Sequence, residues 1–445
     1  MNHIIMNKIL KMRKKTVSHL TILLFLCITI MTACKGKDRS TEYEDLTAHN
    51  TWMLSVMQDK YLWGDRLTEQ TYKAYFYTST KFFSTLVTLA DNDSWSYCLV
   101  DSAVTDPHAR GNFDHLNSYG IDFTIVTDPT KATSRSLARV TYIVENSPAS
   151  RAGLSRNTFI SSIDDTKVTS SNATNYLVNG SSHEIVFHHL DTLDTGEYVW
   201  TDTVYAALPA SQKVVEPAFP VVTIIDVESE KIAYLMSTRL VPYPDESTSS
   251  GTEFQDDMDA KMKDIIAEKP DELILDLRLC NYGTIEMACR LASYIVPTAS
   301  KDDVFAKTIW NSRYSANNTT YTYDKSLPSL ELSRVYIIIG NQTQGAAEWL
   351  VRGLIQTLGS ENVILVGDDS KGQNVMTQFV AAGYGHKLYP AVCYVTDATG
   401  TTSYDALTET HNINENSTNY WLEMKDFGNP EEQVFAYTLS IISNE

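Results

Sequence analysis

The cysteines, which could bind metal, form bridges or act as nucleophiles, are few in this chain. Its six cysteines stand at Cys27, Cys34, Cys98, Cys280, Cys289 and Cys393. No CxxC or HExxH spacing occurs. His188 and His189 are adjacent on a strand-like stretch, where neighbouring side chains point to opposite faces. The pattern predicts no metal site and no cofactor. It is not a disulfide framework either. A single bridge such as Cys280 to Cys289 is open to a chain outside the cytoplasm, and spacing alone does not decide it.

Cys34 has a particular setting. Lys8, Lys11, Arg13, Lys14 and Lys15 form a basic stretch, and no acid occurs in the first 33 residues. The apolar run Leu20–Met31 follows. It is shorter than the roughly 20 residues of a comfortable membrane span, and its flanks are those of a secretory signal. Met31-Thr32-Ala33-Cys34 then resembles the lipobox of bacterial lipoproteins. The reading is a signal peptide over 1–33 and a lipid on Cys34, with the polar segment 34–46 as a tether. A plain signal with an incidental cysteine, or an anchor helix that is never cut, are the alternatives. The expected location is the bacterial cell envelope, lipid-anchored and facing the periplasm or the cell surface.

Loss of the signal removes five of the 36 basic residues and none of the 55 acidic ones, leaving a net charge of −24. Such a surface disfavours nucleic acid and anionic lipid headgroups as partners. The membrane is expected as a partner through the N-terminal lipid alone. The remaining 412 residues suggest two to four domains, with an α+β and α/β multidomain architecture. Region 42–112 is rich in aromatics. Trp52, Val56 and Met57, and then Phe82, Leu86 and Leu89, lie at helical spacing, which predicts a small helical module. Region 113–212 alternates like strands at Gly120–Val126, Ala138–Val144, Phe159–Ile163 and His183–His188. Region 213–445 mixes short buried strands with helices, as α/β domains do. Lys231–Met236, Glu272–Leu277, Val335–Ile339 and Val363–Val366 read as strands. Ile285–Val296 and Ala346–Leu358 read as helices, the second stopped by Gly359.

Two motifs carry a resemblance to known families. Between the strands of the second region lies Ser147-Pro148-Ala149-Ser150-Arg151-Ala152-Gly153-Leu154. It resembles the SPA-x-x-AGL signature of PDZ domains. Ser118-Tyr119-Gly120-Ile121-Asp122-Phe123 falls where such domains keep a carboxylate-binding loop. The resemblance therefore implies that Tyr119, Gly120, Ile121, Asp122 and Phe123 bind peptide or protein C-termini. The sequence departs from the pattern at Asn157-Thr158-Phe159-Ile160, where Gly-Asp-x-Ile is usual.

The order helical module, PDZ-like domain, KIAYL, ELILDLR and VYIII–helix–VILVG resembles the C-terminal processing (tail-specific) serine peptidase family over nearly the whole mature chain. That family uses a Ser–Lys pair, with backbone N–H groups stabilising the oxyanion. Aligned on Glu348, the nucleophile position is Gly345, within Thr343-Gln344-Gly345-Ala346-Ala347-Glu348. The base position is Gln373, within Gly367-Asp368-Asp369-Ser370-Lys371-Gly372-Gln373-Asn374. The glycine-rich oxyanion turn has become Leu279-Cys280-Asn281-Tyr282-Gly283. Neither Gly345 nor Gln373 can supply the chemistry. Glu348 suits the first turn of a helix, where the dipole favours an acid. Thr343, Ser370 and Lys371 are the nearby residues that a relocated pair would use.

The expectation is a non-catalytic, peptidase-like lipoprotein that binds peptide tails or another ligand. A serine-type endopeptidase with relocated residues and a structural envelope partner are the alternatives. The lipid expectation has a direct test: radiolabelled fatty acid should enter the wild-type chain and not Cys34→Ala. Equal labelling of both would refute it.

Overall fold

The computed structural model describes residues 40–91, 93–100, 117–244, 251–402, 405–415 and 421–444. Segment 1–33 and Cys34 lie outside the described residues. Among the described residues no helix is long and apolar enough to cross a membrane. The chain forms two compact units, one of residues up to 58 with 65–92, the other of residues 59–64 with 93–445.

The first unit holds the helix Ser79–Asp91 and the helix Ser40–Lys60 as far as residue 58. Helix begins at Ser40, so the second half of the expected tether 34–46 is helical. Met53, Leu54 and Met57 are buried on the first helix, and Phe82, Phe83, Leu86, Val87 and Ala90 on the second. Trp52 and Val56 are half-buried, and Leu89 is 61% exposed. The second helix's buried arc centres between Phe82 and Phe83, which leaves Leu89 beyond its edge. The Asn50 side-chain amide donates to the Tyr75 and Tyr77 carbonyls at 3.0 and 2.8 Å and pins the connecting loop. The expected helical region 42–112 stops short of Tyr97–Val100, which is a strand paired antiparallel with His386–Tyr389. Tyr97 stacks on Tyr389 with ring centroids 4.7 Å apart.

In the second unit, an antiparallel β domain runs through Ile121–Thr127, Ser136–Ile143, Phe159–Ile163, His183–His188 and Val204–Leu208, in that spatial order. The helix Pro148–Arg151 starts at Ser147, whose side chain accepts from the Ser150 amide. Gly120, at φ +72°, leaves no room for a Cβ, which would fall 2.3 Å from the Ser147 Cβ. Asn157 adopts φ +68°. Asparagine is among the few residues other than glycine that tolerate this conformation, so its exchange for glycine preserves the turn.

The α/β domain is built on a six-stranded sheet of Val221–Val227, Glu230–Met236, Glu272–Asp276, Val335–Ile339, Val363–Gly367 and His411–Asn412. All its pairs are parallel except the first. The continuous apolar runs follow from burial on both faces. Val335, Ile337 and Ile339 face a core that includes Leu291, Leu350 and Leu354. Tyr336 and Ile338 face the other side, with Val434, Phe435 and Leu439 of the helix Gln433–Asn444 and Tyr142 and Val144 of the β domain.

Arg278, just past the strand Glu272–Asp276, joins these parts. Its Nε and one terminal nitrogen donate to Asp276, and its terminal nitrogens also reach Glu415 and Glu432 at 3.0–3.1 Å. Arg156 of the β domain shares Glu415 and Glu432. Both guanidinium groups lie over the Phe427 ring, at 3.8 and 4.9 Å. Burial alone would push the Glu432 carboxyl up, but Arg278 and Arg156 outweigh it and hold the group down at about 2. Its folded pKa is therefore depressed below the ordinary 4.5. The stabilisation is present above pH 4.5 and fades as pH falls towards 2. Glu432→Gln should cost about 3–5 kcal/mol at neutral pH, because it leaves buried charge uncompensated. Urea unfolding at pH 7 and pH 3 checks this: the wild type should weaken in acid through this group, and the variant should not.

Candidate functional site

The turn that follows the strand Val335–Ile339 brings Gly345 to the first turn of the helix Ala346–Leu358. Gly345 has φ +59° and ψ −114°, a backbone that disfavours any side chain. Its N–H donates to Glu348 Oε2 at 3.0 Å. Glu348 is fully buried. Its carboxylate also accepts from the Gln373 amide at 2.8 Å, from the Gly372 amide and from the Ser370 hydroxyl. One side chain thus ties the helix start to segment 370–373. Burial pushes the Glu348 carboxyl up, against the pull of these four hydrogen bonds. The sequence suggested only a favourable dipole contact for Glu348. Its larger role depends on a segment more than twenty residues away, which no local pattern shows.

Gly345 and Gln373 face each other. A Cβ built on Gly345 would lie 3.1 Å from Gln373 Oε1. The Gln373 amide is fixed at both ends: Oε1 accepts from Gln344 Nε2 at 2.9 Å, and Nε2 donates to the Val375 carbonyl at 2.8 Å. The two sites that resemblance matched to nucleophile and base therefore meet in space, and neither carries a group that can transfer a proton near neutral pH.

The other candidates are placed differently. Thr343 is fully buried; its hydroxyl donates to the Leu277 carbonyl at 2.9 Å and accepts from the Gly340 amide at 2.9 Å. Ser370 Oγ donates to Glu348 and accepts from the Leu407 amide at 2.7 Å. Lys371 is exposed, and its backbone N–H donates to the Thr343 carbonyl. Segment 368–374 is not a strand, so alternation does not turn Lys371 inward. The structure does not bring Lys371 to a buried hydroxyl as a base must be brought.

The turn 279–283 is packed by other contacts. A Cβ on Gly283 would fall 2.6 Å from the Leu240 Cβ and 2.7 Å from the Ala346 Cβ, so glycine is required there. Cys280 is buried, and burial pushes its thiol up to about 12, far from a thiolate nucleophile. The four described cysteines are all unpaired, Cys280 and Cys289 included.

In the β domain, the loop expected to hold a carboxylate has its amides engaged. The Tyr119 N–H donates to the Val178 carbonyl, the Gly120 N–H to Ser118 Oγ and the Phe123 N–H to Asp122 Oδ1. Tyr119 is fully buried, with its hydroxyl on the Ser181 carbonyl. Ile121, Asp122 and Phe123 lie on the edge strand of the sheet. Among the described residues no group of three or more His, Cys, Asp or Glu side chains is placed to hold a metal ion.

Residues 239–408 match the family model of Peptidase family S41. A crystal structure of a putative S41 protease from Bacteroides fragilis shares the fold, with a TM-score of 0.77 and 24% identity over 88% of this chain and 97% of its own. A photosystem II D1 C-terminal processing protease aligns over 83% of this chain and 93% of its own, at 14% identity and a TM-score of 0.48. Mature CPAF aligns over 90% and 96%, at 11% identity and a TM-score of 0.44. No curated protein sequence matches the chain.

The geometry ranks two substitutions. Gly345→Ala places a side chain at positive φ and should cost about 1–3 kcal/mol. Glu348→Ala strands three amides and a hydroxyl and should cost more, since each unsatisfied buried group costs about 1–3 kcal/mol. Chemical denaturation of both variants checks the order.

Proposed function

We propose, from the relation of residues 239–408 to peptidase family S41, that this chain is a non-catalytic member of that family. In this reading it is a lipid-anchored envelope protein that binds polypeptide without cutting it. One observation supports the proposal: Gly345 and Gln373, the positions that resemblance matches to the family's serine and lysine, face each other. In this reading the turn and the helix start are held by the buried Glu348, and the site has neither nucleophile nor base.

The β domain fits a PDZ-like role. The SPASRAGL segment forms the turn, short helix and glycine stop that the motif implies, and Asn157 keeps the left-handed turn. With the amides of Tyr119, Gly120 and Phe123 engaged, a bound tail would add along the edge strand Ile121–Thr127 by main-chain pairing. Attachment through Cys34 would hold this surface at the membrane with no need of charge attraction, which the acidic surface does not offer.

The purified chain should show no hydrolysis of unfolded proteins above background, and a fluorophosphonate probe should leave it unlabelled. An oxyanion site without a nucleophile retains at most about 10³–10⁴-fold over water, too little to register in such assays. Gly345→Ser combined with Gln373→Lys should restore little activity, because the 279–283 turn stays altered. Robust cleavage by the wild type that disappears in Lys371→Ala would replace this reading with a relocated catalytic pair.

A further inference from the structure

A cavity of about 360 Å³ opens between the β domain and the carboxyl ends of the central parallel strands. Its volume falls in the range of ligand pockets, and it lies where open α/β sheets bind ligands. Gly345 and Gln373 do not line it. Its charged lining residues are Asp122, Asp368, Glu415 and Arg278, with the amides of Asn341 and Gln342 beside them. We infer that this cavity is a binding site for an organic cation, and specifically for the lysine or arginine side chain of a bound polypeptide.

The sign of the site follows from the hydrogen bonds. Arg278 is the one basic residue among those lining the cavity. A guanidinium has five N–H donors, and here they are directed at Asp276, Glu415 and Glu432. It therefore turns no donor towards an anion. The nearby start of the helix Gln433–Asn444, which would otherwise attract an anion, already has its Phe435 amide on Glu432 Oε2. Counting the groups behind the wall, Asp122, Asp276, Asp368, Glu415 and Glu432 face two cations, Arg156 and Arg278. The net charge is about −3 at neutral pH by ordinary carboxylate and guanidinium ionisation.

Asp368 retains the capacity to bind such a ligand. Its carboxylate accepts from the Asp369 amide at 3.0 Å and from Asn414 Nδ2 at 3.2 Å, and a carboxylate has about four acceptor positions. Phe123 and Ile413 supply apolar wall. A basic side chain suits this arrangement, since its stem packs on apolar surface while its head stays among acceptors. Phe123 also lies on the edge strand proposed to receive a tail, so one extended segment can reach both.

The inference rests on the polypeptide-binding reading, and the test separates the two. N-acetylated pentapeptides with a central lysine, norleucine or glutamate, and free spermidine, are titrated by calorimetry into the wild type and Asp368→Asn. The lysine peptide should bind at least about tenfold tighter than the norleucine peptide at low salt, and glutamate should bind worst. Asp368→Asn should remove about tenfold of the lysine preference, the scale of a lost charged hydrogen bond. Its thermal midpoint serves as the folding control. Spermidine binding that Asp368→Asn weakens, with no peptide binding, upholds the cation site and overturns the polypeptide reading. Equal binding of lysine and norleucine peptides, or an unchanged preference in Asp368→Asn, overturns the cation site.

Discussion

The Arg278 guanidinium sets more of this molecule than any other group. It stands at the end of a central strand with its side chain almost fully buried. A buried cation of this kind is tolerable only when its donors and charge are matched. Burial would pull its pKa down, but Asp276, Glu432 and Glu415 raise it well above the ordinary value. Meeting that demand draws a strand, the C-terminal helix and segment 411–415 to one point. Arg156 then brings the β domain to the same carboxylates. Satisfying that charge is thus one of the contacts that dock the two domains, beside the packing of Tyr142 and Val144. The interdomain cavity is the space left beside it.

Glu348 does for the turn at Gly345 what Arg278 does for the interface, with the polarity reversed. Four donors converge on one buried carboxylate. None of them comes from a side chain that a Ser–Lys mechanism needs. The turn at Gly345 can therefore persist when the nucleophile and the base are absent, because its geometry is held by an acceptor and by a glycine backbone. Gln373 fills the facing position and bonds to its neighbours at both ends of its amide. The result is a turn and a helix start fixed by one buried carboxylate and one bonded amide.

How much of this was legible in the sequence depended on how local the cause was. Val335–Ile339, Phe159–Ile163, His183–His188 and Ala346–Leu358 could be read because burial on one or both faces writes itself into consecutive residues. Tyr97–Val100 could not, because its partner lies near residue 388 and its four residues carry little alternation. The exposure of Leu89 does not follow from its helical spacing, because a stripe of adjacent apolar pairs has no unique centre. For the site, the vacant positions Gly345 and Gln373 came from family resemblance. Spacing alone gives no reason to pair residues 28 apart. The Arg156–Arg278–Glu432 cluster and the cavity beside it were not visible at all, since their members come from widely separated segments with nothing unusual in any one of them.

Asn157 shows how the same position can serve local and long-range structure together. Its left-handed backbone satisfies the turn. Its side chain does what a glycine could not: Nδ2 donates to the Trp421 carbonyl at 2.7 Å, and Oδ1 accepts from Arg139 Nε at 2.8 Å. Arg139 is itself fully buried, against Trp421 and Phe159. This second tie and the Arg156 contacts hold the β domain to Glu415, Trp421, Lys425 and Glu432. Arg156 and Asn157 are consecutive residues, so both ties run along one seam.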